Sequence, residues 1–250
     1  DQVTYFSEAS IKVIIHDFES YHFIDTVNFF IGNEVSIFEE NFDSGLGEWS
    51  VTGDWGLTDN PSIGLYALTD SPEGNYNADA SSTAVLDIDL DFSFIANPFI
   101  SFSAQWDIED GYDFIRFQAY TEEDGWVSLQ GNYTVSGNGA SVQPLGEFGY
   151  DGTQNTWVDE KIFLEQLNGH KPLRFRFIQD SDQFVEGDGF VFDNFSINGL
   201  SLGLSGDFTS DGVVNIFDII GLADMISKNE TPNSYIFTFC DMDANGELNI

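Results

Sequence analysis

Apolar and polar residues alternate along most of this chain with a period of two. Ile100, Phe102, Ala104 and Trp106 alternate with Phe99, Ser101, Ser103 and Gln105, and Ile115, Phe117 and Ala119 with Phe114, Arg116, Gln118 and Tyr120. The same rhythm sets Leu173, Phe175 and Phe177 against Arg174 and Arg176. It sets Val191, Asp193, Phe195 and Ile197 against Phe190, Phe192 and Asn194. Leu86, Ile88, Leu90 and Phe92 alternate with Asp87, Asp89 and Asp91. In a pleated strand successive side chains point to opposite faces, so each set predicts a half-buried strand. Clusters of Gly, Asn, Asp and Glu at 109–111, 122–125 and 136–139 mark turns between them. Many short strands spaced in this way predict a mostly β protein, a β-sandwich or jelly roll.

The two ends depart from this pattern. Residues 1–36 offer two or three strands, at Ile11–Ile15, His22–Ile24 and Thr26–Ile31, too few to bury a core alone. They read as the tail of a sandwich, or as strands packed on the next domain. Beyond Gly199 the period changes. Apolar residues at 216, 217, 219, 220, 222, 223 and 225 fit a helix over Ile216–Met225, with Asp218 and Asp224 on its more polar side. Gly221 inside it is a weak helix former. The expected domains are therefore 1–36, a sandwich over 37–199, and a small α module over 200–250.

Charge narrows the partners. The 250 residues carry 43 acids and 7 bases, a net charge of −36. Phosphate-bearing surfaces would be repelled, which argues against nucleic acid and anionic lipid. Divalent cations and a salty, extracellular setting suit such a surface, because screening relieves its self-repulsion. With 42% hydrophobic residues the chain has enough apolar material for a core. No run approaches the ~18 apolar residues of a membrane span. The lone Cys240 cannot form an internal disulfide. Asp1 reads as the start of a mature fragment.

The sharpest motif is a duplicated calcium loop. Asp207, Thr209, Asp211, Asn215 and Asp218 place side-chain oxygens at loop positions 1, 3, 5, 9 and 12, with Gly212 at position 6 and the Val213 carbonyl at 7. A hard cation needs six to eight oxygens, and this spacing wraps one loop around it. The pattern recurs as Asp241, Asp243, Asn245, Gly246, Glu247 and Asn249. Position 12 of the first loop is Asp rather than the bidentate Glu of an EF-hand, and no helix precedes Asp207. A loop followed by a helix, duplicated at this spacing, resembles a dockerin. The resemblance implies Ca2+ at Asp207, Thr209, Asp211, Asn215 and Asp218, and again at Asp241, Asp243, Asn245 and Asn249. It also implies docking to a cohesin-like partner. Ile216 and Phe217 stand where dockerins often carry small polar residues, and the second repeat stops at Ile250. The partner is then a cohesin, a different protein, or the chain's own neighbouring domain.

A second resemblance covers the sandwich. Its blocks are Ile37-Phe-Glu-Glu-Asn-Phe-Asp-Ser-Gly-Leu-Gly-Glu-Trp49, Gly53-Asp-Trp55, Leu68-Thr-Asp-Ser-Pro-Glu-Gly-Asn-Tyr76, Asp107-Ile-Glu-Asp-Gly-Tyr-Asp113 and Gly187-Asp-Gly-Phe-Val-Phe-Asp-Asn-Phe-Ser-Ile197. In this order they resemble the MAM-type jelly roll that follows the catalytic domain of bacterial immune inhibitor A metalloproteases. The resemblance implies an accessory, non-catalytic, calcium-steadied domain, with residues 1–36 as the last strands of an Ig-like sandwich. From the residues themselves, Asp193 shares a pleat face with Val191 and Phe195 and is expected to point inward. A buried carboxylate needs a metal, a cation or hydrogen bonds. Calcium held with some of Glu40, Asp43, Asp70 and Asp113 is one reading, and pairing to Arg174 or Arg176 or to the backbone is the other. The ladder Asp87, Asp89, Asp91 reads as a solvated strand face. Trp106 reads as core, and Trp126, after Asp124-Gly125, as exposed.

Catalytic signatures are missing. There is no His-Glu-x-x-His, no Gly-x-Ser-x-Gly and no Gly-Lys phosphate loop, and His16, His22 and His170 are scattered. The expected protein is a non-catalytic region of a secreted bacterial protein, an adhesive or stabilising jelly roll with a calcium-binding tail for attachment to a partner or surface. Two alternatives stay open. A structural subunit of an extracellular fibre or surface layer would self-associate. A glycan-binding module of a secreted hydrolase would show exposed aromatics along one sheet face.

Overall fold

A computed structural model describes residues 7–16, 22–31, 34–88, 90, 92, 95–201, 206–209, 214–228, 230–232, 236, 240 and 248. The chain divides into two compact units: Asp1–Ile37 with Asp91–Ala96 and Gly199–Ile250, and Phe38–Leu90 with Asn97–Asn198.

In the first unit, β1 (Ser7–His16) and β2 (His22–Ile31) form an antiparallel hairpin, with Ser7 opposite Ile31 and His16 opposite His22. The second strand is continuous where the sequence reads as two. A helix, α1 (Ile216–Lys228), follows the first tail loop. It runs three residues past the predicted end, and Lys228 in its last turn pairs with Asp224. Gly221 is explained by packing: a Cβ there would come within 2.5 Å of the Phe208 ring.

The second unit is a β-sandwich, consistent with a jelly roll. Its strands, counted from the point where the chain approaches it, are β3 (Glu34–Glu40), β4 (Trp49–Val51), β5 (Gly56–Thr58), β6 (Ala67–Thr69), β7 (Ser81–Leu86) and β8 (Ile95–Asp107). Then come β9 (Phe114–Thr121), β10 (Gly125–Ser128), β11 (Val135–Ser136), β12 (Phe148–Gly149), β13 (Thr153–Phe163), β14 (Arg174–Asp180) and β15 (Gly189–Ser201). One sheet has the order β10-β9-β14-β7-β4. The other has the order β13-β8-β15-β6-β5, with β3 also on β15. A small ribbon joins β11 to β12.

Aromatic rings fill the space between the sheets. Phe177 of β14 and Phe192 of β15 meet across the interior at 4.3 Å between ring centroids. Trp49 sits 5.0 Å from Phe195 and 5.3 Å from Phe192, and Phe102 lies 5.3 Å from Phe177. Each ring is almost fully buried. Full burial of one such side chain stabilises the fold by roughly 1.5–3 kcal/mol. Trp106 belongs to this core as expected, stacked on Phe190 at 5.9 Å.

Two strand readings need correction. β7 ends at Leu86, and Asp87, Ile88, Leu90 and Phe92 lie outside any strand; Asp89 and Asp91 lie outside the described residues. Leu86 pairs with Phe175 on one side and Trp49 on the other, and both registers stop there. A period-two pattern without neighbours to pair with cannot extend a sheet. The alternation along β15 also breaks. Asn194 has a left-handed φ of 51°, so Phe192 and Phe195 both reach the core although they are three residues apart. Val191 lies instead on a polar groove with Thr69 and Ser71, and Asp193 meets the loop that joins β5 to β6.

Candidate functional site

Asp193 is fully buried, yet no arginine holds it. Its Oδ2 accepts the Ile63 N–H at 2.8 Å and its Oδ1 the Asn194 N–H at 2.7 Å. Asp43, on the turn after β3, accepts from Leu65 N–H at 2.6 Å in the same loop. Glu40, at the end of β3, accepts the Phe42 N–H at 2.8 Å and faces Gly47. Burial raises the Asp193 pKa, and Asp43 and Glu40 push it further in the same direction. Asp43 and Asp193 thus both accept backbone N–H groups of the β5–β6 loop, with the charge of Glu40 nearby.

The other two acids proposed for this clamp lie elsewhere. Asp70, just after β6, accepts the Phe190 N–H at 2.9 Å through Oδ1, while its buried Oδ2 has no partner. Burial, with Asp188 nearby, lifts its carboxyl from 3.8 to about 7. Asp113 accepts from the Tyr76 hydroxyl at 2.7 Å and the Asp182 N–H at 2.7 Å. Carboxylate oxygens of Glu109, Asp113 and Asp182 gather within 4.8 Å of one another. Burial, then the mutual repulsion of these charges, raises the pKa of Glu109. Glu109 and Asp182 sit on loops far apart in sequence, so no local spacing announces that they meet. The reading that joins Asp70 and Asp113 to Asp193 rests on a turn, a strand start and a pleat face; Asp70 instead meets Phe190, and Asp113 meets Tyr76 and Asp182.

In the tail, Asp218 is buried and ties the loop together. Its Oδ1 accepts from the Thr209 N–H at 3.0 Å and hydroxyl at 2.9 Å, and its Oδ2 from the Asn215 N–H at 2.7 Å. These N–H donors lower its pKa. Asp207 is buried as well. Asp211, Val213, Asp241, Asp243, Asn245, Glu247 and Asn249 lie outside the described residues. Burial and the nearby charges of Asp218 and Asp207 push the buried Cys240 thiol up to about 11. A thiol so held in its protonated form is the reverse of an activated nucleophile. His170 meets only the Asp124 carboxylate, at 2.7 Å in a partly exposed pair. Neither Cys240 nor His170 is therefore set up as a nucleophile or as its general base.

The outer face of the five-stranded sheet carries a different arrangement. Strand pairing sets Trp126 of β10, Tyr120 of β9 and Arg174 of β14 in one cross-strand row. Ser128, Gln118 and Arg176 form the next row. The Tyr120 and Trp126 rings meet edge to face at 5.4 Å. The Arg174 guanidinium lies 4.6 Å over Tyr120, and that of Arg176 lies 4.1 Å over Trp126. Gln118 fixes Arg176 by accepting its Nε–H at 2.8 Å. All four ring and guanidinium residues are half-buried. Alternation with Phe175 and Phe177 already pointed Arg174 and Arg176 outward, but which strands flank β14 is a long-range property that no local pattern shows. Elsewhere in the sandwich, Thr58, Asn60, Thr69, Ser71, Gln154 and Asp188 line a polar groove of about 230 Å³.

No protein-family model matches the sequence, and no curated protein matches it. Several solved structures are similar to it at low identity. The CBM22-1 xylan-binding domain of Paenibacillus barcinonensis Xyn10C is 13% identical, with 67% of this chain and 96% of that one covered and a TM-score of 0.40. The K3 cleaved adhesin domain of Lys-gingipain from Porphyromonas gingivalis w83 is 12% identical, covering 65% and 98%, with a TM-score of 0.39. The mannan-recognising carbohydrate-binding module TmCBM27 is 13% identical, covering 68% and 100%, with a TM-score of 0.35. The sandwich assignment for this chain rests on its own strand order and aromatic core.

Proposed function

We propose that this chain is a non-catalytic, calcium-stabilised module of a secreted protein that binds saccharide on the outer face of its five-stranded sheet. One observation carries the reading: the row of Trp126, Tyr120 and Arg174 beside the row of Ser128, Gln118 and Arg176. Aromatic rings offer flat apolar surface to the C–H faces of a sugar. Amides, hydroxyls and guanidinium N–H groups beside them match its hydroxyls. Affinity electrophoresis of the full chain through gels containing soluble plant and microbial polysaccharides tests this. Retardation in at least one gel is expected, and its loss in Trp126→Ala at unchanged melting temperature. Equal mobility in every gel, or retardation that survives Trp126→Ala, would overturn the reading.

Calcium is part of the same proposal. Glu40, Asp43 and Asp193 would hold one ion beneath the β5–β6 loop. The tail loop would hold another through Asp207, Thr209, Asp211, Val213, Asn215 and Asp218, with the second repeat following suit. An ion bound at a hundredfold its dissociation constant stabilises a fold by about 2.7 kcal/mol. All five tryptophans, at 49, 55, 106, 126 and 157, lie in the sandwich, so their fluorescence reports its melting alone. Chelator should lower that melting point in the parent chain but not in Asp193→Asn. In chelator the variant loses a buried charge but sets its amide nitrogen against the Ile63 or Asn194 N–H, so the two effects oppose and the test is the response to calcium. An identical response of parent and variant to calcium would remove Asp193 from the site.

A second role is favoured by α1. Ile216, Phe217, Ile219 and Ile220 are all more than half exposed. An apolar helix face of this kind supports attachment through the dockerin-like tail to a cohesin-like or other extracellular partner.

A further inference from the structure

The two arginines of the saccharide face are chemically out of place in this protein. With 43 acids and 7 bases in the chain, carboxylate partners are abundant. Arg116, one residue pair further along the same face, has taken two of them: Asp180 at 2.6 Å and Glu147 at 2.9 Å. Arg174 and Arg176 have none within ion-pair distance among the described residues, and no protein acceptor meets their terminal N–H groups. Three guanidinium groups therefore share one face of a sheet, and two of them have no direct ion pair among the described residues. Burial lowers the pKa of Arg176, and the charge of Arg116 lowers it further, against a smaller opposing pull from Asp180. Packing does not require charge here, since a neutral long side chain would cover the same rings. Stacking on Tyr120 and Trp126 orients the guanidinium planes, and Gln118 anchors one of them. That is the geometry of a preorganised oxyanion receptor beside an aromatic platform.

We propose that this face selects an acidic saccharide, whose carboxylate or sulfate oxygens are held by Arg174 and Arg176 while a neighbouring ring packs on Trp126. The proposal rests on the reading that the face binds saccharide, and adds the class of sugar. The remaining surface, at a net charge of −36 for the chain, repels polyanions in general. Any affinity for one must therefore come from a local site and not from diffuse attraction.

Titration calorimetry of the full chain in calcium tests it with three probes: oligogalacturonate, sulfated dextran and neutral xylan oligomers. Binding of an acidic probe at least about tenfold tighter than the neutral one is expected, weakening as sodium chloride rises, because charge–charge contacts are screened. The double variant Arg174→Gln, Arg176→Gln should abolish that preference, bringing the affinity for the acidic probe down to that for the neutral oligomer. Arg176→Lys, which keeps the charge but loses the planar fork, should recover only part of it. Binding of oligogalacturonate alone assigns the carboxylate source, and binding of sulfated dextran alone assigns the sulfate source. Equal affinity for neutral and acidic probes, or an acidic preference that survives the double variant, overturns the proposal and leaves the saccharide reading standing. Silence from all three probes, together with unretarded migration in every polysaccharide gel, overturns both. Unchanged melting temperatures of the variants exclude unfolding as the cause.

Discussion

Replacing Phe192 by alanine should destabilise the sandwich by roughly 3–5 kcal/mol, the cost of emptying a large aromatic site in a core. Phe192 is fully buried and touches rings from both sheets: Phe177 at 4.3 Å, Phe42 and Trp49 at 5.3 Å, and Phe102 at 6.0 Å. Rigid rings on all sides leave little that can collapse into the void. Urea unfolding followed by tryptophan fluorescence would show the midpoint fall with the slope unchanged. Trp126→Ala, by contrast, truncates a half-buried surface ring and should move the midpoint far less. A loss under 1 kcal/mol for Phe192→Ala would mean that the aromatic cluster is not the core it is taken to be.

Asp70 should impose a second large effect, this time on the pH dependence of stability. The folded chain binds its proton up to about pH 7, whereas an unfolded aspartate releases it near 3.8. Between those values the folded state holds more protons than the unfolded state. The stabilisation is therefore complete below about pH 4, declines as pH rises towards 7, and is absent above it. The gap corresponds to ~4 kcal/mol at most. Asp70→Asn removes this titration. Its amide nitrogen would take the place of the unpartnered Oδ2, which costs ~1–3 kcal/mol at every pH. The difference between variant and parent should therefore rise with pH in chelator, from a net loss at pH 4 to parity or a net gain at pH 8. A flat difference would show that Asp70 is solvated or cation-paired in the folded protein. A difference that rises in chelator but reverses in calcium would place an ion on Asp70.

Much of this architecture was legible in the sequence. The alternations at 99–106, 114–120 and 173–177 correspond to β8, β9 and β14, with Phe102, Phe117 and Phe177 buried as their parity requires. The helix at 216 was readable because its apolar positions fit no strand. Parity failed where the backbone departs from a regular strand. The left-handed Asn194 shifts Phe195 back into the core and turns Asp193 to the β5–β6 loop, and nothing in the alternation of 190–197 marks that step. It failed again just after Leu86, where the pattern continues but the partner strands end. The saccharide face was the least legible part. Trp126, Tyr120 and Arg174 lie on three strands whose adjacency is set by sheet order, and Arg174 and Arg176 looked instead like counter-ions for Asp193. A strongly acidic chain hides the meaning of its few bases until their neighbours are known.

Nuclear magnetic resonance of the full chain during saccharide titration tests the central claim most directly. The five indole N–H signals are resolved probes, and those of Trp49 and Trp55 are buried in the core without a hydrogen-bond partner. If the account is right, oligogalacturonate shifts the Trp126 indole and the backbone amides of Tyr120, Arg174 and Arg176, while Trp49 and Trp55 stay still. Shifts confined to Thr58, Ser71, Gln154 and their neighbours would place the ligand in the polar groove of the other sheet and contradict it.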